Sequence, residues 1–322
     1  GSNDLNNTNN LKTKMINDIQ YKSDNFITNL GTVNNFNINL KNLNTLGKKD
    51  NKYKSNPQIE LMNIFELNSS LPLIKKNSIY SKTLTPKISL RYNLNDMKNY
   101  SGLDRNVNVD NVFDINRLGL DDSFEAGKSI TMGVNYKKEN LQDINKYFEF
   151  KIASVLRDKE EEFIPTSSSI NKKNSNLFGS VTSSLSKHIS VDYDFMIDNN
   201  FNTFEYNSLN TIFNFGKFET SLKFIEENGN IGDANIFENK TSYTFDDKNY
   251  FSFATRRNRK INLTEFYDLV YEYKNDCIVA GVKYNKTYYS DRDLKPTENL
   301  FFSVTLYPLT TYEYNLDGNP VN

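Results

Sequence analysis

The stretch from Phe251 to Tyr307 constrains the fold more than any other part of the chain. Within Leu263–Tyr273 the odd positions Tyr267, Leu269, Tyr271 and Tyr273 are apolar or aromatic, and the even positions include Thr264, Asp268 and Glu272. After Asn275-Asp276, one face carries Ile278, Ala280, Val282 and Tyr284 and the other Cys277, Lys283 and Asn285. A period of two is the mark of a strand with unlike faces. A two-residue turn at Asn275-Asp276 predicts Tyr267 opposite Tyr284, Leu269 opposite Val282 and Asp268 opposite Lys283. The hairpin then has an apolar side with aromatic ends and a polar side holding an ion pair. Soluble sandwiches also alternate. The aromatic excess and the repetition of the pattern favour an antiparallel transmembrane barrel.

Composition narrows the choice. Across 322 residues the formal net charge is -1, which carries no bias toward nucleic acid or anionic lipid. The mean hydropathy is -0.67, and no apolar run is long enough for a transmembrane helix. Neither fact excludes a barrel, where only alternate residues meet lipid. Trp is absent, but 20 Tyr and 23 Phe suffice for interfacial girdles. The chain begins at Gly1 with no methionine and no signal peptide, so a mature chain or a fragment is expected. The single cysteine allows no internal disulfide.

Taken in order, residues 1–10 are polar and expected to be disordered. Lys12–Lys22, Asn25–Leu30 and Asn34–Leu43 alternate weakly, and Asn44–Asn56 reads as a polar loop. Gln58–Leu71 and Pro86–Tyr92 read as strands, followed by a long connection, Asn93–Glu125, rich in Asn and Asp. Gly127–Tyr136 and Asn145–Leu156 form the next pair, and Arg157–Asn174 is a second long loop. Hairpins then follow closely. Ile189, Val191, Tyr193, Phe195 and Ile197 alternate with polar neighbours, and a turn at Asn199-Asn200 predicts Phe195 against Phe204 and Tyr193 against Tyr206. Lys217–Ile225, Ile236–Phe245, Asn249–Arg257 and Thr297–Tyr307 complete an all-β, up-and-down meander of about 16 strands in one domain.

The connections sort by side. Ser186-Lys187, Phe215-Gly216, Asp247-Lys248 and Asn275-Asp276 are short and fall at one end. Asn93–Glu125, Arg157–Asn174, Glu226–Ala234, Asn258–Asn262 and Thr287–Pro296 are mostly longer and fall at the other. Short periplasmic turns against longer external loops is the asymmetry of an outer-membrane barrel. It sets Cys277 at the periplasmic end and the cluster Arg256, Arg257, Arg259 and Lys260 at the external end.

Alternation assigns Asp192, Asp194, Asp268, Glu272 and Lys283 to the lumen. His188, Ser190 and Asp192 share that face, but residues two apart on a strand stand nearly 7 Å from each other, too far for a nucleophile and its base. A barrel hydrolase is therefore disfavoured and no enzyme is expected. One His and one Cys leave no metal site, and no cofactor is expected.

Three stretches carry a family resemblance: TPKISLRYNLNDMKN (Thr85–Asn99), NVFDINRLGLDDSFEAGKSITMGVNY (Asn111–Tyr136) and TRRNRKINLTEFYDLVYEYKNDC (Thr255–Cys277). Together they resemble LptD, formerly OstA, the outer-membrane lipopolysaccharide-assembly family. That family joins a periplasmic jelly roll to a barrel of about 26 strands, at the large end for single chains. No jelly roll is read here, so residues 1–322 are expected to be a C-terminal portion of such a barrel. The resemblance implies lipopolysaccharide transport through a lumen and a lateral gate into the outer leaflet. It also implies an LptE-like plug lipoprotein, an LptA-like periplasmic bridge and outer-membrane lipid as partners, and no nucleic acid.

By the same resemblance Cys277 would form a disulfide with a periplasmic partner outside the chain. Arg256, Arg257, Arg259 and Lys260 would meet lipopolysaccharide phosphates; the alternative is a solvated, charge-paired loop. Leu300, Phe302, Val304 and Leu306 would lie on the terminal gate strand. The competing function is a general outer-membrane porin or nutrient channel.

Overall fold

The computed structural model describes residues 2–7, 10–50, 53–288, 297–306 and 310–315. Nineteen strand segments belong to one sheet. They are Ser2–Asn7 (β1), Asn10–Lys22 (β2), Phe26–Ile27 (β3), Val33–Lys48 (β4), Gln58–Ser70 (β5), Leu73–Lys76 (β6) and Tyr80–Asn93 (β7). Gly127–Asn140 (β8), Tyr147–Arg157 (β9), Leu177–Ser186 (β10), Ile189–Ile197 (β11), Phe204–Asn214 (β12) and Phe218–Glu227 (β13) follow. Asn235–Thr244 (β14), Asn249–Asn258 (β15), Leu263–Lys274 (β16), Ile278–Thr287 (β17), Thr297–Leu306 (β18) and Thr310–Asn315 (β19) complete the wall. Among the described residues there is one short 3-10 turn, Thr166–Ser168, and no helix long and apolar enough to cross a membrane.

All pairings are antiparallel between successive wall strands. Both β2 and β3 pair with β4, and both β5 and β6 pair with β7, so the segments make 17 wall strands. The break between β5 and β6 falls at Leu71-Pro72, where Pro72 has no N–H to give the ladder. Pro86 of β7 stands opposite this break, and its carbonyl accepts the Leu71 N–H at 3.1 Å. Ser2–Asn7, expected to be disordered, instead pairs with the start of β2. The wall strand expected to end near Leu43 runs on to Lys48 because alternation continues through Leu43 and Thr45, both buried.

Two hairpins differ from their expected register. Leu269 faces Tyr284, Tyr271 faces Val282 and Asp268 faces Asn285. The two-residue turn is Asp276-Cys277, flanked by the Asn275 N–H to Ile278 carbonyl bond at 2.8 Å. The Asn275 side chain accepts from the N–H groups of Cys277 and Ile278, which moves the turn one residue along. A slip of two residues leaves every side chain on its expected face. The ion pair survives as a diagonal contact, Lys283 to Asp268 at 3.5 Å. In the second hairpin Phe195 faces Asn207 and Tyr193 faces Leu209, after a bulge at Met196/Ile197. The Asp198 carboxylate caps a longer loop by accepting from the N–H groups of Asn202 (2.6 Å) and Thr203 (2.7 Å).

The segment 94–126 lies inside the curve of the wall. Ile115 and Phe124 pack with Ile16 of β2, Leu43 of β4 and Met62 and Ile64 of β5. Val107, Val112, Leu118 and Leu120 pack with Val155 of β9, Phe178 of β10, Met196 of β11 and Tyr206 of β12. In a flat sheet β2 and β12 would stand about 40 Å apart at the usual strand spacing. One short insert touching both requires the sheet to curl around it into a barrel wall.

The opposite, convex face is apolar. Ile59 is 74% exposed and Leu61 72%, and Leu67, Leu90, Ile130, Leu222, Phe237 and Phe302 are exposed too. Aromatic contacts gather near both ends of the strands. Tyr136–Phe148 and Tyr243–Phe245 lie toward the short connections, and Phe195–Phe204 and Tyr267–Tyr288 toward the long ones. Apolar belt, aromatic girdles and polar interior are together the pattern of a membrane barrel.

Candidate functional site: the lumen insert and the polar lining

The insert is fixed by a buried ionic core. Glu125, at the foot of β8, receives Arg117 Nε at 2.7 Å, Arg91 of β7 at 3.4 Å and the Arg157 guanidinium from the end of β9. Arg91 reaches on to Glu66 of β5 at 2.8 Å and to the Asp114 carbonyl. Glu66 also accepts from Asn37 Nδ2 at 2.7 Å and Asn68 Nδ2 at 3.0 Å. Arg117 also donates to Glu125 Oε1 (2.5 Å), to Thr131 Oγ1 (2.9 Å) and Ser129 Oγ (3.1 Å) of β8, and to the Val112 carbonyl (3.3 Å). Arg91, Arg117, Arg157, Glu66 and Glu125 are all buried.

Burial alone would favour the neutral Glu125 acid. The guanidiniums of Arg117, Arg157 and Arg91 outweigh it and hold the carboxyl well below the usual carboxylate range. Burial and the charge of Arg91 pull Arg117 down to about 10, still cationic at neutral pH. Unpaired, any of these charges would be expensive inside protein. Paired, they tie the insert to three separate strands.

A second tie lies toward the long-connection rim. The Asp122 carboxylate, 1% exposed, accepts from the hydroxyls of Tyr53 (2.6 Å) and Tyr100. Burial and the Asp122 bond push the Tyr53 hydroxyl well above its ordinary value. Lys41 of β4 donates to the Asp121 carbonyl and pairs with Asp18 at 3.1 Å. Residues 158–176 lie against the insert through the Tyr100 N–H to Phe163 carbonyl bond (2.9 Å) and the Arg105 N–H to Ser167 Oγ bond (3.0 Å).

The rest of the inner face is polar and carries several ion pairs. The register puts Asp192 and Asp194 on the face of Met196, which packs on the insert. Lys151, on the inner face of β9, reaches Asp110 of the insert at 2.8 Å. Further round, the register aligns Asp192, Asn210, Lys223, Glu238 and Arg256 across β11–β15. Asp268, Glu272 and Lys283 continue that face on β16 and β17.

The remaining expected residues are placed differently from their grouping in sequence. Arg256, Arg257, Arg259 and Lys260 do not converge. Arg256 pairs with Glu265 at 2.8 Å and Glu238 at 3.4 Å on the inner face. Arg257 bonds Asn262, Arg259 lies 5.8 Å over the Phe224 ring, and Lys260 pairs with Asp233. Cys277 is exposed and free within the turn, not on a strand face. Leu300, Phe302, Val304 and Leu306 sit on β18, which is not terminal, since β19 pairs with it from Leu306–Thr310 to Phe301–Asn315. The His188 ring stacks on Phe215 at 5.6 Å, and its Nδ1 meets the Asn214 carbonyl at 2.6 Å, so it serves the short turn. Among the described residues no group of three or more His, Cys, Asp or Glu could hold a metal ion.

Sequence reasoning read Asn93–Glu125 as an external loop and missed the ionic core. The signal was present. Val107, Val109, Val112, Leu118, Leu120 and Phe124 are more apolar residues than a solvated loop needs, and all are buried.

No family model matches the sequence, and no curated protein matches it. Solved structures with a similar course include a mutant of Rhodopseudomonas blastica porin at 9% identity and TM-score 0.34, covering 88% of this chain and 94% of that one. A triple mutant of the same porin has 9% identity and TM-score 0.34, covering 88% and 92%. A further variant reaches 10% identity at the same TM-score, covering 94% of each chain. Likeness at this level carries no argument; the architecture rests on the strand pairing above.

Proposed function

We propose that the chain forms an outer-membrane barrel whose polar lumen is a passage, and that the passage serves lipopolysaccharide assembly in the manner of the LptD family. The observation that carries the passage is sidedness: an apolar convex face with aromatic girdles around a charged, ion-paired concave face. Support for the finer reading comes from where the family-like stretches fall. Two of the three, Thr85–Asn99 and Asn111–Tyr136, include Arg91, Arg117 and Glu125, so that part of the resemblance falls on one buried structural unit. LptE-like and LptA-like partners, and a disulfide from Cys277, belong to this same proposal. Exposure of Cys277 in a short turn suits a partner approaching from that end.

A general porin is the competing reading. The wall opposite the insert is favourable to it, because Lys223, Glu238, Arg256, Asp268 and Lys283 form a charged strip suited to small hydrated solutes. Depleting the protein in its own host separates the two. Loss of surface lipopolysaccharide with unchanged uptake of small solutes supports assembly. Unchanged surface lipopolysaccharide with reduced uptake supports the porin and ends the assembly reading.

A further inference from the structure

The convex face carries charge at the short-connection end that the lumen does not explain. On β8 the outward side chains are Lys128, Ile130, Met132, Val134, Tyr136 and Lys138, alternating with inward residues such as the buried Ser129 and Thr131. The two lysines bracket a span of about 33 Å along the strand. Tilted as barrel strands are, that span matches an apolar band about 25 Å tall. Lys138 therefore lies at headgroup level.

Its cross-strand neighbours extend the charge. Lys138 faces Lys82 of β7, and Lys82 faces Lys75 of β6, so three ammonium groups share one row. Lys75 and Lys82 are exposed and Lys138 is half-buried. Like charges directly opposite one another repel, and among the described residues no acid pairs with any of the three. The acids nearest Lys138 in sequence are engaged elsewhere. Glu139 turns inward to Lys137 at 2.6 Å, and Asp143 holds Lys146 in the turn at 3.5 Å. Lys138 instead lies 4.3 Å over the Tyr80 ring, with Phe148 opposite it and in contact with Tyr136. Lysines set among interfacial aromatics are placed to meet lipid headgroups.

On the same convex face, toward midplane from the row, a cleft of about 480 Å³ is lined by Ser69, Ile88, Met132, Val134 and Ile152. Val134 is about 13 Å along the strand from Lys138. We propose that this face binds an anionic glycerophospholipid of the periplasmic leaflet, its phosphate on the lysine row and an acyl chain in the cleft. Clustered basic side chains at a bilayer surface attract anionic headgroups, and the bound anion relieves the repulsion within the row. Free phosphate would meet the row and leave the cleft empty; a lipid uses both.

The inference goes beyond passage and assembly and holds whichever of them the lumen serves. Native mass spectrometry of the refolded full chain in neutral detergent micelles tests it, by titration with phosphatidylglycerol and phosphatidylcholine of the same acyl chains. Phosphatidylglycerol should bind at least tenfold more tightly. The triple variant Lys75→Gln/Lys82→Gln/Lys138→Gln should bring it to the level of phosphatidylcholine, and Arg257→Gln, on a distant strand, should leave the preference unchanged. Excess glycerol 3-phosphate, which has the phosphate without the chains, should not displace the lipid. Should the triple variant fail to refold, Lys75→Gln/Lys82→Gln is read, both positions being exposed. The proposal is overturned if the unaltered chain binds the two lipids alike, if the lysine variants keep the preference, or if glycerol 3-phosphate displaces phosphatidylglycerol. A dimer peak in place of lipid adducts would also overturn it, giving the face to a second copy of the chain.

Discussion

Glu125 is the residue on which the insert depends. Removing one partner from a buried ionic group leaves the others uncompensated, at a cost of about 3–5 kcal/mol. Glu125→Gln should therefore lower resistance to denaturant by that amount, read as the shift of the urea midpoint of the refolded chain. Replacing Glu125 by Leu together with Arg117 by Met should cost less than the two single changes added, which a double-mutant cycle reads directly. The pH dependence has a definite sign. The folded carboxyl is depressed below its ordinary value of 4.5, so its stabilisation is present above that value and is lost only as pH falls through the lower folded one. Protection of insert amides from hydrogen exchange, corrected for the intrinsic rate, should be the same at pH 7 and pH 5.5.

At the scale of the strand, face decides tolerance. Leu269 lies on the convex face between Phe253 and Tyr284, and its neighbour Asp268 points inward to Lys283. A charge on the lipid side near midplane costs about 2–4 kcal/mol. Leu269→Arg should abolish the heat-modifiable band on electrophoresis, and Asp268→Asn should preserve it. Faces of this kind were legible in sequence because alternation survives a register error: the slip in the Leu263–Thr287 hairpin moved partners by two and changed no face. The partners themselves were not legible, because the Asn275 side chain selects the turn and no periodicity reports it. The insert was hidden for a different reason. Its apolar residues follow no period, and Glu125 meets Arg91 and Arg157 only after the chain has folded back on itself.

For the molecule as a whole, the sorting of connections is the feature that sets orientation. The turns at residues 187–188, 215–217, 245–248 and 275–277 share one end, and the insert, residues 158–176 and residues 259–262 share the other. With the short turns in the periplasm, Cys277 is shielded in intact cells. A membrane-impermeant maleimide should label a chain with free Cys277 only after the outer membrane is permeabilised. Labelling of untreated cells would reverse the orientation.

The make-up of the insert's core also bears on where the wall opens. Its larger buried cluster is drawn from residues between Met97 and Met196, with Tyr206 and Ile231 added at its margin. None of the described residues from β14 onward belongs to it. Local opening is therefore expected first in the hairpins from β14 onward and last around the insert, where buried apolar contact is greatest.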